Sequence, residues 1–245
     1  MTDFSEVIDI DNHFQLRFMC IHLQGSKELN PIETLYEFEA VIEDRELNHT
    51  ISLRPVKITD LEILYVWMHQ PHIAPFWKLN VSKEDFYAYL ERSVKAEHKR
   101  VYLCFVDDLP AGYLIAYSIQ HDSIRDFYQA EPGDLGMHLL IGPRELLNKE
   151  DGLMIVRAMT AFLMKKFRSR RIIGEPDIRN RIVIPILKEI GGYVADTILL
   201  PHKKAALVIG EHDRFNDYMS SKKVTFIKLP SEDIKLLNVE GRSNM

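Results

Sequence analysis

The segment Asp134-Leu135-Gly136-Met137-His138-Leu139-Leu140-Ile141-Gly142-Pro143-Arg144 and its continuation Leu147-Asn148-Lys149-Glu150-Asp151-Gly152 decide the reading of this chain. Residues 135–141 form an apolar run, short enough for a buried strand and ended by Gly142-Pro143. Gly152 then opens a long helix, with Leu153, Val156, Met159, Phe162 and Leu163 on one face. Lys165, Lys166 and Arg168 stand near its C-terminal end, as the macrodipole favours. Arg171-Ile172-Ile173-Gly174 reads as a further strand that delivers Glu175-Pro176-Asp177 to the start of another helix. Strand, helix, strand, helix in that order is an α/β (α+β) pattern.

Working outward, residues 101–106 and 113–119 read as strands joined by a turn at Asp107-Asp108-Leu109-Pro110. Downstream, the helix after Asp177 stops at Gly191-Gly192, and Pro185 inside it is expected to kink it or delay its start. Residues 193–199 and 205–209 look like a closing hairpin, and the tail beyond about 215 holds one strand-like stretch, 224–229. Upstream, Thr59 and Glu62 suggest a capping box ahead of a helix carrying Leu61, Leu64, Tyr65 and Met68, and Ser82 caps a second helix striped with Phe86, Tyr89, Leu90 and Val94. The loop between them, Pro71-His72-Ile73-Ala74-Pro75-Phe76-Trp77-Lys78-Leu79-Asn80, has the character of a binding loop. The first fifty residues read as strands, with Phe14, Leu16, Phe18 and Cys20 on one face and a less regular run at 35–42. The expected organisation is an N-terminal β-rich extension (1–52), a main domain (53–215) and a C-terminal tail (216–245).

Composition narrows the function classes. With 245 residues, 46% hydrophobic and 27% charged, the chain can bury one substantial core, which excludes disordered and fibrous readings. A formal charge of −5 disfavours nucleic acid and anionic membrane as partners. No apolar run approaches the roughly 18 residues of a membrane span, and the N-terminus lacks the order of a secretory signal, so a cytoplasmic location is expected. Cys20 and Cys104 are too few and too distant for a disulfide framework or metal knuckle and read as core thiols; no metal is expected.

Several residues are candidates for chemistry. His138, on a central strand, is either a hydrogen-bonded core histidine or a general base that a rigid strand can aim. Asp177 lies at the C-terminal end of the next strand, where open α/β sheets place ligands, and is equally suited to cap the following helix. The strand–turn–helix at 136–152 has the order that offers backbone N–H groups to a pyrophosphate. Trp77 and Phe76, near Asn80 and His72, suit either a satellite apolar cluster or a wall for an alkyl-chain substrate. Of the carboxylates Asp122, Asp126, Glu131 and Asp134, one could receive a substrate ammonium group, the others being solvated loop charges.

Taken together, Leu53-Arg54-Pro55-Val56, Trp67-Met68, Pro71-His72, Phe76-Trp77-Lys78-Leu79-Asn80, Gly112-Tyr113, Tyr117, the segment 134–143 and Glu175-Pro176-Asp177-Ile178-Arg179-Asn180 resemble the siderophore-biosynthesis branch of the GCN5-related N-acyltransferases (GNAT). The resemblance runs from about residue 53 to 215. It implies the GNAT fold: a central mixed, mostly antiparallel twisted sheet flanked by helices. It implies transfer of an acyl group from acetyl-CoA or succinyl-CoA to the hydroxylamine nitrogen of an N-hydroxylated diamine or N6-hydroxylysine, giving a hydroxamate. By the same resemblance His138 is the base and Asp177 orients it or the nucleophile. Leu140, Ile141, Gly142, Arg144, Lys149, Gly152, Leu153 and Asn180 then serve the donor, and His72, Trp77, Asn80, Tyr117 and Asp122 the acceptor. Oligomeric state stays open, a homodimer included.

Three positions depart from the family pattern. Asn148-Lys149-Glu150-Asp151-Gly152 replaces a glycine-rich phosphate loop and brings two acidic side chains to it, Ile115 stands where a glutamate is usual, and Pro185 lies in a helix that normally has none. The acidic loop supports an alternative, a GNAT-like protein that binds or partners without catalysis. An N-acyltransferase for an unrelated amine is the remaining reading.

Overall fold

The computed structural model of the chain describes residues 38–237. The expected strand carrying Phe14 to Cys20 lies outside them; the run expected at 35–42 reaches the described part only from Phe38 and ends in the first strand below.

Nine strands form one sheet: β1 (Ala40–Asp44), β2 (His49–Pro55), β3 (Lys99–Val106), β4 (Leu109–Ser118), β5 (Asp134–Ile141), β6 (Arg171–Gly174), β7 (Tyr193–Leu200), β8 (Lys203–Glu211) and β9 (Val224–Lys228). Their order is β7-β8-β6-β5-β4-β3-β2-β1-β9, and every pairing is antiparallel except that of β5 with β6. The β3–β4 hairpin turns at Asp107 and Asp108, whose φ of 46° and 65° are the left-handed values of a mirror-image turn that fits strand twist. The boundary expected at 52/53 falls within β2, where Ser52 and Leu53 pair with Phe105 and Cys104 of β3. The stretch expected as tail contributes β9, which pairs with β1 and is the last strand on that side among the described residues.

Helices cover both faces. α1 (Leu61–Met68), the single turn α2 (Ala74–Trp77) and α3 (Lys83–Lys95) lie on one side; α4 (Lys149–Phe167), α5 (Val183–Glu189) and α6 (His212–Ser220) pack against the other. The Thr59–Glu62 box does not form. Asp60 instead accepts the Lys57 backbone N–H at 2.8 Å and the Arg54 guanidinium at 2.8 and 2.9 Å, while Glu62 pairs with Lys83. Ser82 caps α3 as expected, accepting from the Asp85 N–H. Pro185 is the third residue of α5, where the missing N–H has no intrahelical partner to lose, so it sets the start of the helix and does not kink it.

Period-two alternation divides the core. Met137 and Ile141 of β5 and Ile172 of β6 point toward α4, whereas Leu140 and Ile173 share the face of α1 and α3 with Tyr113, Ile115 and Tyr117 of β4. By the same parity His138, Glu175 and Asp177 fall on the α1/α3 face.

Candidate active site

The parallel pair β5–β6 is where the sheet opens. Its ladder runs through Asp134–Arg171 and Leu135–Ile172 and ends at Gly136–Ile173. Among the described residues, β5 continues for residues 137–141 with a ladder partner on the β4 side alone. Beyond Gly174 the chain leans the other way: Pro176, without an N–H, accepts from Ala206, and Ile178 donates to Lys204, both on β8. The edge of β5 past Gly136 is thereby left facing a cavity of about 590 Å³. Met137, His138 and Leu139 line it on one side, and the α2 loop, the turn after β4 and the β7–β8 hairpin line it on the others.

His138 enters this cavity with a partly exposed ring. Its Nε2 lies 2.5 Å from Oε1 of Glu175, a buried carboxylate. Glu175 is held from two further directions: the Tyr117 hydroxyl donates to Oε2 at 3.1 Å, and Lys203 Nζ stands 3.5 Å from Oε1. Burial alone would push the Glu175 carboxyl up, yet the charge and hydrogen bond of His138, with Lys203 and Tyr117, outweigh it and bring it down to about 2. The Tyr117 ring lies 4.8 Å from the imidazole and Trp77 meets it edge-on at 6.3 Å. Gly136 makes the first contact possible, because a Cβ there would sit 2.1 Å from the Tyr117 ring. The glycine two residues before the histidine is therefore a packing requirement.

Asp177 also lines the cavity, but its carboxylate is engaged elsewhere. Arg179 binds it through Nη2 at 2.7 Å, Nε at 2.9 Å and its backbone N–H at 2.9 Å, and these bonds hold the carboxyl at about 2 against partial burial. The side chain bonded to His138 is Glu175, a residue that the sequence reading quoted within its motif and passed over. Ahead of α5 it is Asn180, not Asp177, whose Oδ1 accepts the Ile182 and Val183 N–H groups, and Asn180 lines the cavity as well.

Of the expected acceptor residues, Trp77 and Asp122 line the cavity, and Tyr117 supports it from beneath through Glu175. His72 does not line it: its Nε2 bonds the Gly142 carbonyl at 3.0 Å and burial lowers its pKa, so it ties the α2 loop to the end of β5. Asn80 is exposed and also off the cavity lining. Lys78, in left-handed conformation at φ 53°, donates to the His202 carbonyl at 2.8 Å and links the α2 loop to the β7–β8 turn.

Most of the expected donor residues stand apart from the cavity. Leu140 and Ile141 are core side chains on opposite faces of β5, Leu153 packs against the α4 core, and Gly142 gives room to the Trp67 ring, which a Cβ would approach to 2.1 Å. Gly152 lies beneath Ile186 of α5, Arg144 is exposed, and Lys149 leans toward Glu189 at 3.9 Å. The N-terminus of α4 is closed by the chain itself. Asn148 Oδ1 accepts from the N–H groups of both Glu150 and Asp151 at 3.0 Å, and its Nδ2 donates to Asp151 at 2.5 Å. Two of the orphan donors that could cradle a phosphate are thus satisfied internally, with two carboxylates alongside. Cys104 is fully buried, and burial pushes its thiol up to about 12, so it offers no nucleophile. Among the described residues no cluster of His, Cys, Asp and Glu suited to a metal ion occurs, and no helix is long and apolar enough to cross a membrane.

A mixed sheet opened at one parallel pair, with a histidine on the exposed strand edge beside a cavity, defines an acyltransferase of the GNAT type. Residues 57–200 match the acetyltransferase (GNAT) domain family, and the chain belongs to that family. Among curated proteins it is 30% identical over 156 residues to the N-hydroxyputrescine acetyltransferase of Acinetobacter baumannii, covering 64% of this chain and 74% of that one. It is 28% identical over 174 residues to the N(6)-hydroxylysine O-acetyltransferase of Escherichia coli, covering 70% of this chain and 55% of that one. Among solved structures, an uncharacterised protein of Bacillus halodurans matches with a TM-score of 0.71 at 29% identity, over 74% of this chain and 93% of the other.

Proposed function

We propose that the protein transfers a short acyl group, acetyl or succinyl, from coenzyme A to the hydroxylamine nitrogen of an N-hydroxylated diamine or N6-hydroxylysine, the hydroxamate-forming step of siderophore biosynthesis. The observation that carries this reading is His138, held by a buried carboxylate at the opened edge of β5 and facing a cavity walled by Trp77. The acceptor class comes from the similarity to the two acetyltransferases of N-hydroxylated amines.

The residues divide the work as follows. The bound thioester supplies an activated carbonyl. The opened edge of β5 offers backbone groups of residues 137–139 for the pantetheine arm and for the carbonyl oxygen. The cavity holds the nucleophile in reach of that carbonyl. His138 takes the proton that the nitrogen loses as the N–C bond forms and the C–S bond breaks, and returns it to the departing thiolate. Asp122, whose Oδ1 caps the turn at Ile124, presents negative charge to the distal ammonium of a diamine or the α-amino group of an amino acid.

Mass-spectrometric product analysis across acetyl-CoA and succinyl-CoA with N-hydroxylated and plain amines tests the proposal. Hydroxamate should form from the N-hydroxylated acceptors, with a preference over the plain amines, and His138→Ala should lower kcat by roughly 10²–10⁴-fold. Normal turnover in His138→Ala would remove the assigned base. The self-capped α4 favours one second reading, a non-catalytic GNAT-like partner. The absence of any thermal shift at millimolar acyl-CoA would select it.

A further inference from the structure

We infer that Glu175 is the positioning residue of His138: its buried carboxylate holds the proton on Nε2, leaving Nδ1 as the atom that takes the substrate proton. The inference rests on the acyltransferase reading for the reaction it serves, but not for the geometry from which it is drawn.

An ionised carboxylate only accepts hydrogen bonds. Glu175 lies 2.5 Å from Nε2, and with the Tyr117 hydroxyl and Lys203 as further donors it is held as the anion, so the proton between them belongs to the imidazole. The neutral ring then carries its lone pair on Nδ1. Among the described residues no group hydrogen-bonds that atom, while the ring as a whole lines the cavity with its side chain 39% exposed. When Nδ1 gains a proton, the imidazolium forms directly against the carboxylate that stabilises it. Asp177 is not arranged for this task, since Arg179 occupies both its oxygens.

The surroundings of the pair are specified from every side. Tyr117 on β4 and Lys203 on β8 fix the two oxygens of Glu175, the Tyr117 and Trp77 rings pack against the imidazole, and Gly136 admits the Tyr117 ring. The acidic residues also lining this cavity are Asp122 and Asp177. Both are present in every variant compared below except the one that tests Asp177.

The test combines kinetics with a readout independent of turnover. Glu175→Gln keeps an oxygen for Nε2–H but removes the charge; kcat should fall by roughly 10²-fold with the donor KM changed less than about threefold. The acidic limb of the kcat/KM profile should move to lower pH, because the imidazolium has lost the anion that contacts it. Glu175→Asp should return the limb toward the wild-type position, and Asp177→Asn should leave it in place. A Glu175→Gln protein with wild-type kcat and an unmoved limb, or an Asp177→Asn protein whose limb moves instead, overturns the inference. Nitrogen NMR of the His138 ring in the wild-type protein above its titration reports the tautomer directly, and serves if Glu175→Gln does not fold. The proton should be found on Nε2; a proton on Nδ1 overturns the inference even if transfer is observed. Absence of hydroxamate with every acceptor, alongside an Nε2 proton, would instead overturn the proposed function and leave this positioning intact.

Discussion

Replacing Gly136 by alanine should damage the protein far beyond the size of one methyl group. The added Cβ would lie 2.1 Å from Cε2 and 2.2 Å from Cζ of Tyr117. Carbon atoms rest at about 3.5 Å or more, so the ring must recoil by more than about 1 Å. Tyr117 is only 5% exposed and its ring packs against the His138 imidazole at 4.8 Å, so recoil disturbs that contact too. Overpacking of this kind costs about 1–3 kcal/mol. Displacing the phenol also breaks its 3.1 Å bond to the Glu175 carboxylate, worth a further ~1.5–3 kcal/mol for a bond to a charged acceptor. The two together take about 2.5–6 kcal/mol from a total stability on the order of 5–15 kcal/mol. Urea denaturation at neutral pH measures the loss. Tyr117→Phe isolates the hydrogen-bond part, and Gly136→Ala on a Tyr117→Ala background should cost much less than on the wild type, because the clash has been removed. If Gly136→Ala lies within about 1 kcal/mol of the wild type, the close approach drawn here is wrong.

Other consequences can be checked in the same protein. Glu175 is held near 2, below its ordinary value of 4.5, so its stabilising contribution is present above pH 4.5 and is lost as the pH falls through 4.5 toward 2. Thermal melts between pH 6 and 3 should therefore fall less steeply in Glu175→Gln than in the wild type. Cys104 should resist alkylation at pH 8 in the folded protein and react once unfolded in urea, as read by peptide mass spectrometry. Arg179→Ala should release the Asp177 carboxylate and raise its pKa, leaving kcat near the wild-type value and altering chiefly the acceptor KM in steady-state assays. Because Asn148 and two carboxylates close the start of α4, acetyl-pantetheine should serve as donor within about tenfold of acetyl-CoA in kcat/KM; a preference for CoA above about 100-fold would show that the nucleotide is gripped after all.

The fold was legible where local chemistry and long-range packing agree. The apolar run 135–141, the stripe of the long helix and the tight run 171–174 each announce an element, and each occurs close to where it was read. The helix 212–220 was missed because it follows a strand without a break and carries mostly polar side chains around Phe215. The capping box at Thr59 failed for a tertiary reason: Arg54, distant from the helix in pattern but adjacent in space, recruits Asp60. At the site, Glu175 and Asp177 follow β6 two residues apart, and nothing local chooses between the two carboxylates. The choice is made by Arg179, which takes one of them, and by Tyr117 and Lys203, which converge on the other from β4 and β8. Between 140 and 153 the glycines at 142 and 152 mark places where Trp67 and Ile186 come close.

Asn148 gives the helix it caps a particular economy. By closing on the Glu150 and Asp151 N–H groups it makes the first turn self-sufficient, so α4 needs no visitor to be complete. Those two N–H groups are already spoken for, so an anion arriving at this helix end would have to displace Asn148 before it could use them.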